Sequence, residues 1–317
     1  MRTIALLLLL SSAQAFPQAD FPSRPLRYVV PLPPGAGADF IGRTVAERMA
    51  ADLGKPVVVD NRAGASGSIG SEFVARSAAD GHTLLQCYIA THGTNPAVSK
   101  LPYDAVKDFA PVGMVATTPN VLVVHEKVRV KSLAEFVVLA KGKAKGLSYA
   151  STGAGSATHL TMAYLEQQAA IELVHVPYKG AAPATTDLLG GQVEAMFPSL
   201  VTALPHIRSG RLRALAVSAA KRSPLLPEVP TVAESGYAQF DSLQWYALCA
   251  PAGTPRPVVD RLNRSLNAAL NSPEVRDRLA QQAADVTPTT PAEAADLIRR
   301  EVTKWTKLVK DVGLKLD

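Results

Sequence analysis

Strand-length apolar runs alternate with helical patterns through nearly the whole of this chain, which limits it to an α/β architecture of parallel-rich sheets flanked by helices. Residues 26–31 read as a strand. After it, Ile41, Val45, Met49 and Leu53 recur every fourth residue and mark one face of a helix. Strands at 57–59 and 83–90 follow, with a helix through Phe73 and Val74 between them. The same scheme repeats in strands at 121–124, 148–150, 173–176, 193–196 and 212–217, with helices from about Leu133, Ala157, Pro183 and Val201. Helices at 256–270, 273–282 and 292–312 complete the chain, and the last is expected to pack through Leu297, Val302, Trp305 and Val309.

Two segments break the alternation. Residues 109–121 and 239–250 are apolar, lack a helical period and are bracketed by Gly and Pro, so they read as crossovers between two lobes. Lobe one is then discontinuous, from 16–116 and 240–317, lobe two spans 117–239, and the double crossover is a natural hinge. Ahead of them, Arg2, the apolar residues 4–10 and Ala13-Gln14-Ala15 form an export signal. Cleavage is expected after Ala15 and a periplasmic location follows. The apolar core is too short to span a bilayer, and no Cys follows the cleavage site to carry a lipid anchor.

The formal net charge is +6. Lys141, Lys143, Lys145, Arg208, Arg211, Arg213, Lys221 and Arg222 read as solvated surface, and no aromatic residues interleave them as nucleic-acid binding requires. Cys87 and Cys249 both sit in apolar runs. An exported chain offers them a disulfide, but separate burial as small core residues is the favoured reading, and the choice stays open at this stage. No Cys-x-x-Cys or His-x-x-x-His spacing supports a metal site.

Two glycine-rich turns carry the chemistry. Ser151-Thr152-Gly153-Ala154-Gly155-Ser156-Ala157-Thr158-His159 leaves an apolar run and opens a helix that Ser156 is placed to cap, and Pro33-Pro34-Gly35-Ala36-Gly37-Ala38-Asp39 does the same with Asp39. Such helix beginnings offer free N–H groups and a partial positive charge to an anion without any Arg or Lys. Charge-assisted hydrogen bonds of roughly 1.5 to 3 kcal/mol each, four to six in number, match the roughly 8 kcal/mol of a micromolar complex. Neither turn completes a dinucleotide fingerprint, because Phe40 and Thr158 stand where the third Gly belongs. Walker and hydrolase-elbow patterns are also absent; Gly64-Ala65-Ser66-Gly67-Ser68 comes closest to the elbow and ends on Ser. No cofactor is expected. A rival reading makes Ser156 and His159 a hydrolytic pair, but no orienting acid stands near them in sequence. His175 reads as a satisfied core residue.

Short motifs in a fixed order run through the mature chain: Pro56-Val57-Val58-Val59-Asp60-Asn61-Arg62-Ala63-Gly64, Ala79-Asp80-Gly81-His82-Thr83, Leu101-Pro102-Tyr103-Asp104, the Ser151 to His159 turn, Val176-Pro177-Tyr178-Lys179-Gly180, and Ala250-Pro251-Ala252-Gly253-Thr254-Pro255. In these the chain resembles the Bug-type extracytoplasmic solute receptors of tripartite tricarboxylate transporters. The resemblance implies a type II, Venus-flytrap periplasmic binding protein that closes on a small carboxylate and is not an enzyme. Its implied partners are the transporter's membrane subunits or, alternatively, a sensor kinase, and the receptor is expected to act as a monomer. By the same resemblance the ligand is held at Leu32, Pro34, Gly35, Ala36, Gly37, Ala38 and Asp39, and at Ser151, Thr152, Gly153, Gly155, Ser156 and His159. Thr91 and His92 correspond to a cleft-lining loop, Tyr178, Gly180 and Ala181 to the turn opposite, and Pro198 and Ser199 to a further wall. Leu32, Ala36, Ala38 and Pro198 depart from the family pattern, removing an aromatic wall, a hydroxyl and an acid, and so favour a carboxylate with an apolar or aromatic body.

Overall fold

The computed structural model describes residues 21–35, 37–143 and 146–313, so the export signal, Ala36 and Lys145 lie outside the described residues. The first segment runs β1 (Leu26–Val30), α1 (Gly37–Leu53), β2 (Val57–Asn61), α2 (Ser68–Ala75), β3 (Thr83–Tyr88), α3 (Asn95–Val98) and β4 (Phe109–Pro119). Ile41, Val45, Met49 and Leu53 all bury on α1. The strand expected over 83–90 ends at Tyr88, where a π turn over Ala90–Thr94 takes over.

The middle segment runs β5 (Val121–His125), α4 (Leu133–Gly142), β6 (Leu147–Ser151), α5 (Ala157–Ala169), β7 (Leu173–Pro177), α6 (Ala181–Leu189), β8 (Ala195–Met196), α7 (Leu200–Arg208) and β9 (Leu212–Val217). The chain then returns through β10 (Leu243–Pro251), α8 (Arg256–Asn271), α9 (Pro273–Ala280), β11 (Asp285–Val286) and α10 (Pro291–Asp311). On α10 the fully buried residues are Ala294, Ile298, Trp305 and Leu308, while Leu297, Val302 and Val309 are only partly covered. The buried stripe is thus rotated from the expected one, with Trp305 common to both.

Two sheets form, ordered β11-β4-β10-β3-β1-β2 and β7-β6-β8-β5-β9, and helices flank each of them, giving two lobes. Both are mixed rather than parallel-rich. Parallel pairing is confined to β1 with β2 and β3, and to β6 with β7 and β8. The reason is the two crossing segments: β4 carries the chain out and β10 carries it back, so they lie side by side antiparallel from Leu243 opposite Pro119 to Pro251 opposite Phe109. Apolar runs without helical period are what such doubly covered strands require.

β10 also pairs with β3, which sets Cys87 and Cys249 on neighbouring strands with Cα atoms 6.3 Å apart, and the structure joins them in a disulfide. This corrects the favoured reading of two separate core cysteines. Adjacent strands supply the spacing a disulfide needs, a proximity two distant apolar runs do not reveal.

Where the chain changes lobes, buried polar groups satisfy one another. Asn120 N–H donates to Ser218 Oγ at 2.9 Å, its Nδ2 donates to Ser242 O at 3.2 Å, and Thr161 Oγ1 of α5 lies 2.7 Å from Ser242 Oγ. All four residues are inaccessible to solvent.

Candidate ligand-binding site

The turn that leaves β6 is built as a rigid seat. Gly153 and Gly155 take φ of +137° and +71°, values that a side chain makes costly. Ser156 caps α5 as expected, accepting from His159 N–H, and Thr158 Oγ1 accepts from Thr152 N–H at 2.9 Å. The following βα turn lies against it. Tyr178 N–H donates to Ser151 O, and a Cβ added at Gly153 would stand 3.5 Å from Tyr178 O. Tyr178 Oη donates to Asp187 at 2.7 Å; burial, then that carboxylate, push the phenol up to about 12. Gly180 precedes α6 without a side-chain cap, and Ala181 is its exposed first residue.

The first glycine turn is held by Asp39. Its Oδ2 accepts from Gly35 N–H at 2.9 Å and Arg43 Nε at 3.0 Å, and its Oδ1 accepts from Asn61 Nδ2 at 2.9 Å. Burial raises the Asp39 pKa, but these three donors and the Arg43 charge together leave it below the usual carboxylate value. Asn61 Nδ2 also donates to Leu32 O, tying the strand end to the same knot. Pro34, Gly35 and Gly37 are exposed and Ala38 is buried. A Cβ on Gly37 would come within 3.9 Å of Val201 Cγ1, so the start of α1 faces the start of α7, where Pro198 is buried and Ser199 half-buried.

Across from Gly155 lies the turn over residues 64–68 that leads into α2. A cavity of about 400 Å³ is walled by Ser66, Ser68, Asn95 and Lys100 on the lobe-one side and by Ala154 and Gly155 on the other. On the lobe-one side this cavity is lined from residues 65–72 and 95–102, and Pro34 to Asp39 do not border it. Ala65 and Ser66 both take positive φ, +47° and +52°, a strain that persists only where neighbours enforce it. Ser66 O accepts from Tyr88 Oη at 3.1 Å and Asn95 Nδ2 at 3.0 Å, and α2 then begins at Ser68 with no side-chain cap. The signal was present as Gly64-Ala65-Ser66-Gly67 ahead of a helix.

Three expectations change. Thr91 and His92 are fully enclosed, so neither lines a cleft here. Thr91 supports Gly67 from behind, and a Cβ there would stand 2.7 Å from its Cγ2. His92 packs edge-on to Phe109 inside lobe one, with Nδ1 2.9 Å from Thr91 Oγ1. Ser156 and His159 do not form a hydrolytic pair: Ser156 Oγ is shared with Thr158 and the helix backbone, while His159 Nδ1 accepts from Gly155 N–H at 2.9 Å. Cys87, Cys249 and His92 do converge within 4.8 Å, but the sulfurs are bonded to each other, which removes the thiolates a metal would need.

No described helix is long and apolar enough to cross a membrane. The family model of the tripartite tricarboxylate transporter family receptor, TctC, matches residues 41–314. Protein BugT of Bordetella pertussis is 39% identical over 301 residues, covering 93% of this chain and 91% of its own. Among solved structures, Rpa4515 of R. palustris with adipate superposes with a TM-score of 0.84 at 34% identity, covering 93% of this chain and 99% of that one. MatC of Rhodopseudomonas palustris with bound malate gives 0.80 at 34%, covering 91% and 100%. The chain belongs to the tripartite tricarboxylate transporter receptor family, the Bug-type periplasmic solute-binding proteins.

Proposed function

We propose that this receptor works in the periplasm, captures a small organic carboxylate between its lobes and delivers it to the membrane subunits of a tripartite tricarboxylate-type transporter. One observation carries the reading: the glycine turn opening α5 faces the strained, uncapped start of α2 across a cavity of about 400 Å³. Two helix beginnings aimed at one space suit an anion, and a six-carbon diacid fits such a volume. The adipate and malate held by two relatives at 34% identity support the same ligand class. The export signal expected over residues 1–15 supports the location.

A thermal-shift screen of the mature chain over mono-, di- and tricarboxylates and aromatic acids tests this reading. A binder at a hundred times its Kd stabilises the folded state by about 2.7 kcal/mol and raises the melting point accordingly. For that binder, Gly155→Val should abolish the shift, because a branched side chain at φ +71° both strains the turn and fills the approach to its main chain. No shift with any acid, or an undiminished shift in the variant, refutes the assignment.

A further inference from the structure

Beneath the seat two imidazoles stack face to face. His159 from the first turn of α5 and His175 from β7 have centroids 3.8 Å apart and planes 8° apart, and Tyr149 of β6 lies beside the pair, 5.0 Å from the His175 centroid and 6.3 Å from that of His159. Each ring holds a different end of the turn. Gly155 N–H donates to His159 Nδ1 at 2.9 Å, and His175 Nε2 lies 2.6 Å from Ser151 Oγ. Ser151 Oγ in turn donates to Gly153 O at 3.0 Å and accepts from Gly153 N–H at 3.2 Å. With its one proton given to Gly153 O, the hydroxyl has a lone pair left for His175 Nε2–H. His159 Nδ1 must be bare to accept, so His159 is the neutral Nε2–H tautomer.

We infer that the stacked His159–His175 pair positions the ligand turn from below, and that acid releases the ligand by protonating His159 Nδ1. A proton there sets a donor against the Gly155 N–H and removes the bond that orients it. This rests on the reading of the Ser151 to Gly155 turn as the ligand seat. Burial, and then the His175 ring beside it, hold His159 down to about 4, and burial also lowers His175. The other titratable groups packed here among the described residues are Tyr149 and, near it, Glu166 of α5; Tyr178 and Asp187 flank the turn and satisfy each other. A cation is not among them. His159 is therefore neutral at pH 7 and the seat intact, and the proton competes with the ligand only as pH falls toward 4.

Two measurements on the mature chain test this. In an NMR pH titration of the ligand-free protein from 7.5 to 3.5, the Gly155 amide should move with the midpoint of the His159 ring, and that midpoint should rise in His175→Gln. A Gly155 amide that ignores the His159 titration overturns the inference. Calorimetry with adipate and malate then compares wild type with His159→Asn, whose Oδ1 replaces Nδ1 as a non-titrating acceptor. With a folded pKa of about 4, wild-type affinity should weaken about fourfold more than the variant's between pH 7 and 3.5, each taken relative to its own affinity at pH 7. His159→Leu, which offers no acceptor, should bind poorly at both. Equal acid profiles in wild type and His159→Asn overturn the inference. If neither acid binds wild type at pH 7, the ligand assignment is what weakens, and the NMR titration still decides the role of the pair.

Discussion

His92 gives the sharpest test of how burial governs this fold. Its ring is inaccessible, sits with its centroid 4.5 Å from that of Phe109, and leaves Nε2 without a hydrogen-bond partner among the described residues. Burial depresses its pKa from 6.5 to about 3, so the folded protein holds it neutral while the unfolded chain takes up a proton near pH 6.5. The unfolded state binds more protons throughout that window. Stability is therefore present above pH 6.5 and is lost as pH falls toward 3. At about 1.36 kcal/mol per pH unit, the loss from this one residue between pH 7 and pH 4.5 is about 2.5 kcal/mol. Urea unfolding followed by tryptophan fluorescence reports the same lobe, since Trp305 lies beside Gly93. His92→Gln will be less stable than wild type at pH 7, because the pocket fits an imidazole, but its stability should fall about 2 to 3 kcal/mol less than wild type's on acidification. Other groups, His159 among them, titrate in both proteins and cancel in that difference. Parallel acid profiles would refute a buried, neutral His92.

The Cys87–Cys249 disulfide closes a loop between residues 162 apart, so reduction or Cys87→Ser should cost up to about 5 kcal/mol, read as a lower urea midpoint; an unchanged midpoint under reductant denies the pairing. At the crossover, Asn120→Ala leaves Gln244 and Thr161 short of a partner in a dry site and should cost about 1 to 2 kcal/mol by thermal melting, a neutral result meaning the polar groups there are hydrated. Gly67→Ala combines φ +90° with a Cβ 2.7 Å from Thr91 Cγ2 and should lose about 2 to 3 kcal/mol, whereas Gly210→Ala, at φ +75° in open space, should lose only about 1; equal losses would deny that Thr91 braces the turn.

What could be read from the sequence was what repeats. The fourfold spacing of Ile41, Val45, Met49 and Leu53 reports burial on one helix face directly, and the apolar run over Leu212–Val217 is a strand from end to end. Side chains whose role depends on a partner far along the chain were illegible. Cys87 meets Cys249 only because β10 returns beside β3, and the enclosure of His92 depends on Phe109 arriving from the crossover strand. The conformation of the Gly64 to Ser68 turn is only half legible, for a different reason. Gly64 and Gly67 mark it at φ +127° and +90°, but it also takes positive φ at Ala65 and Ser66, where residue type gives no warning, and Ser66 is held there by Tyr88 and Asn95. Local composition identifies a turn that uses glycine freedom, but not one that neighbours impose.

These distant partnerships converge on α5. Its sequence lacks a clear apolar stripe because nearly every side is covered: Ala157 and Leu160 pack with the lobe-one core, while Met162, Leu165 and Ala169 pack with that of lobe two. Its polar residues have internal duties. Thr158 and His159 fix the seat at the N-terminus, Thr161 bonds Ser242 at the crossover, and Glu166 accepts from Leu173 N–H at the far end. A helix so enclosed moves as a body or not at all. An anion bound at its first turn, as proposed, would act on the same enclosed element that meets the lobe-one core and the crossover.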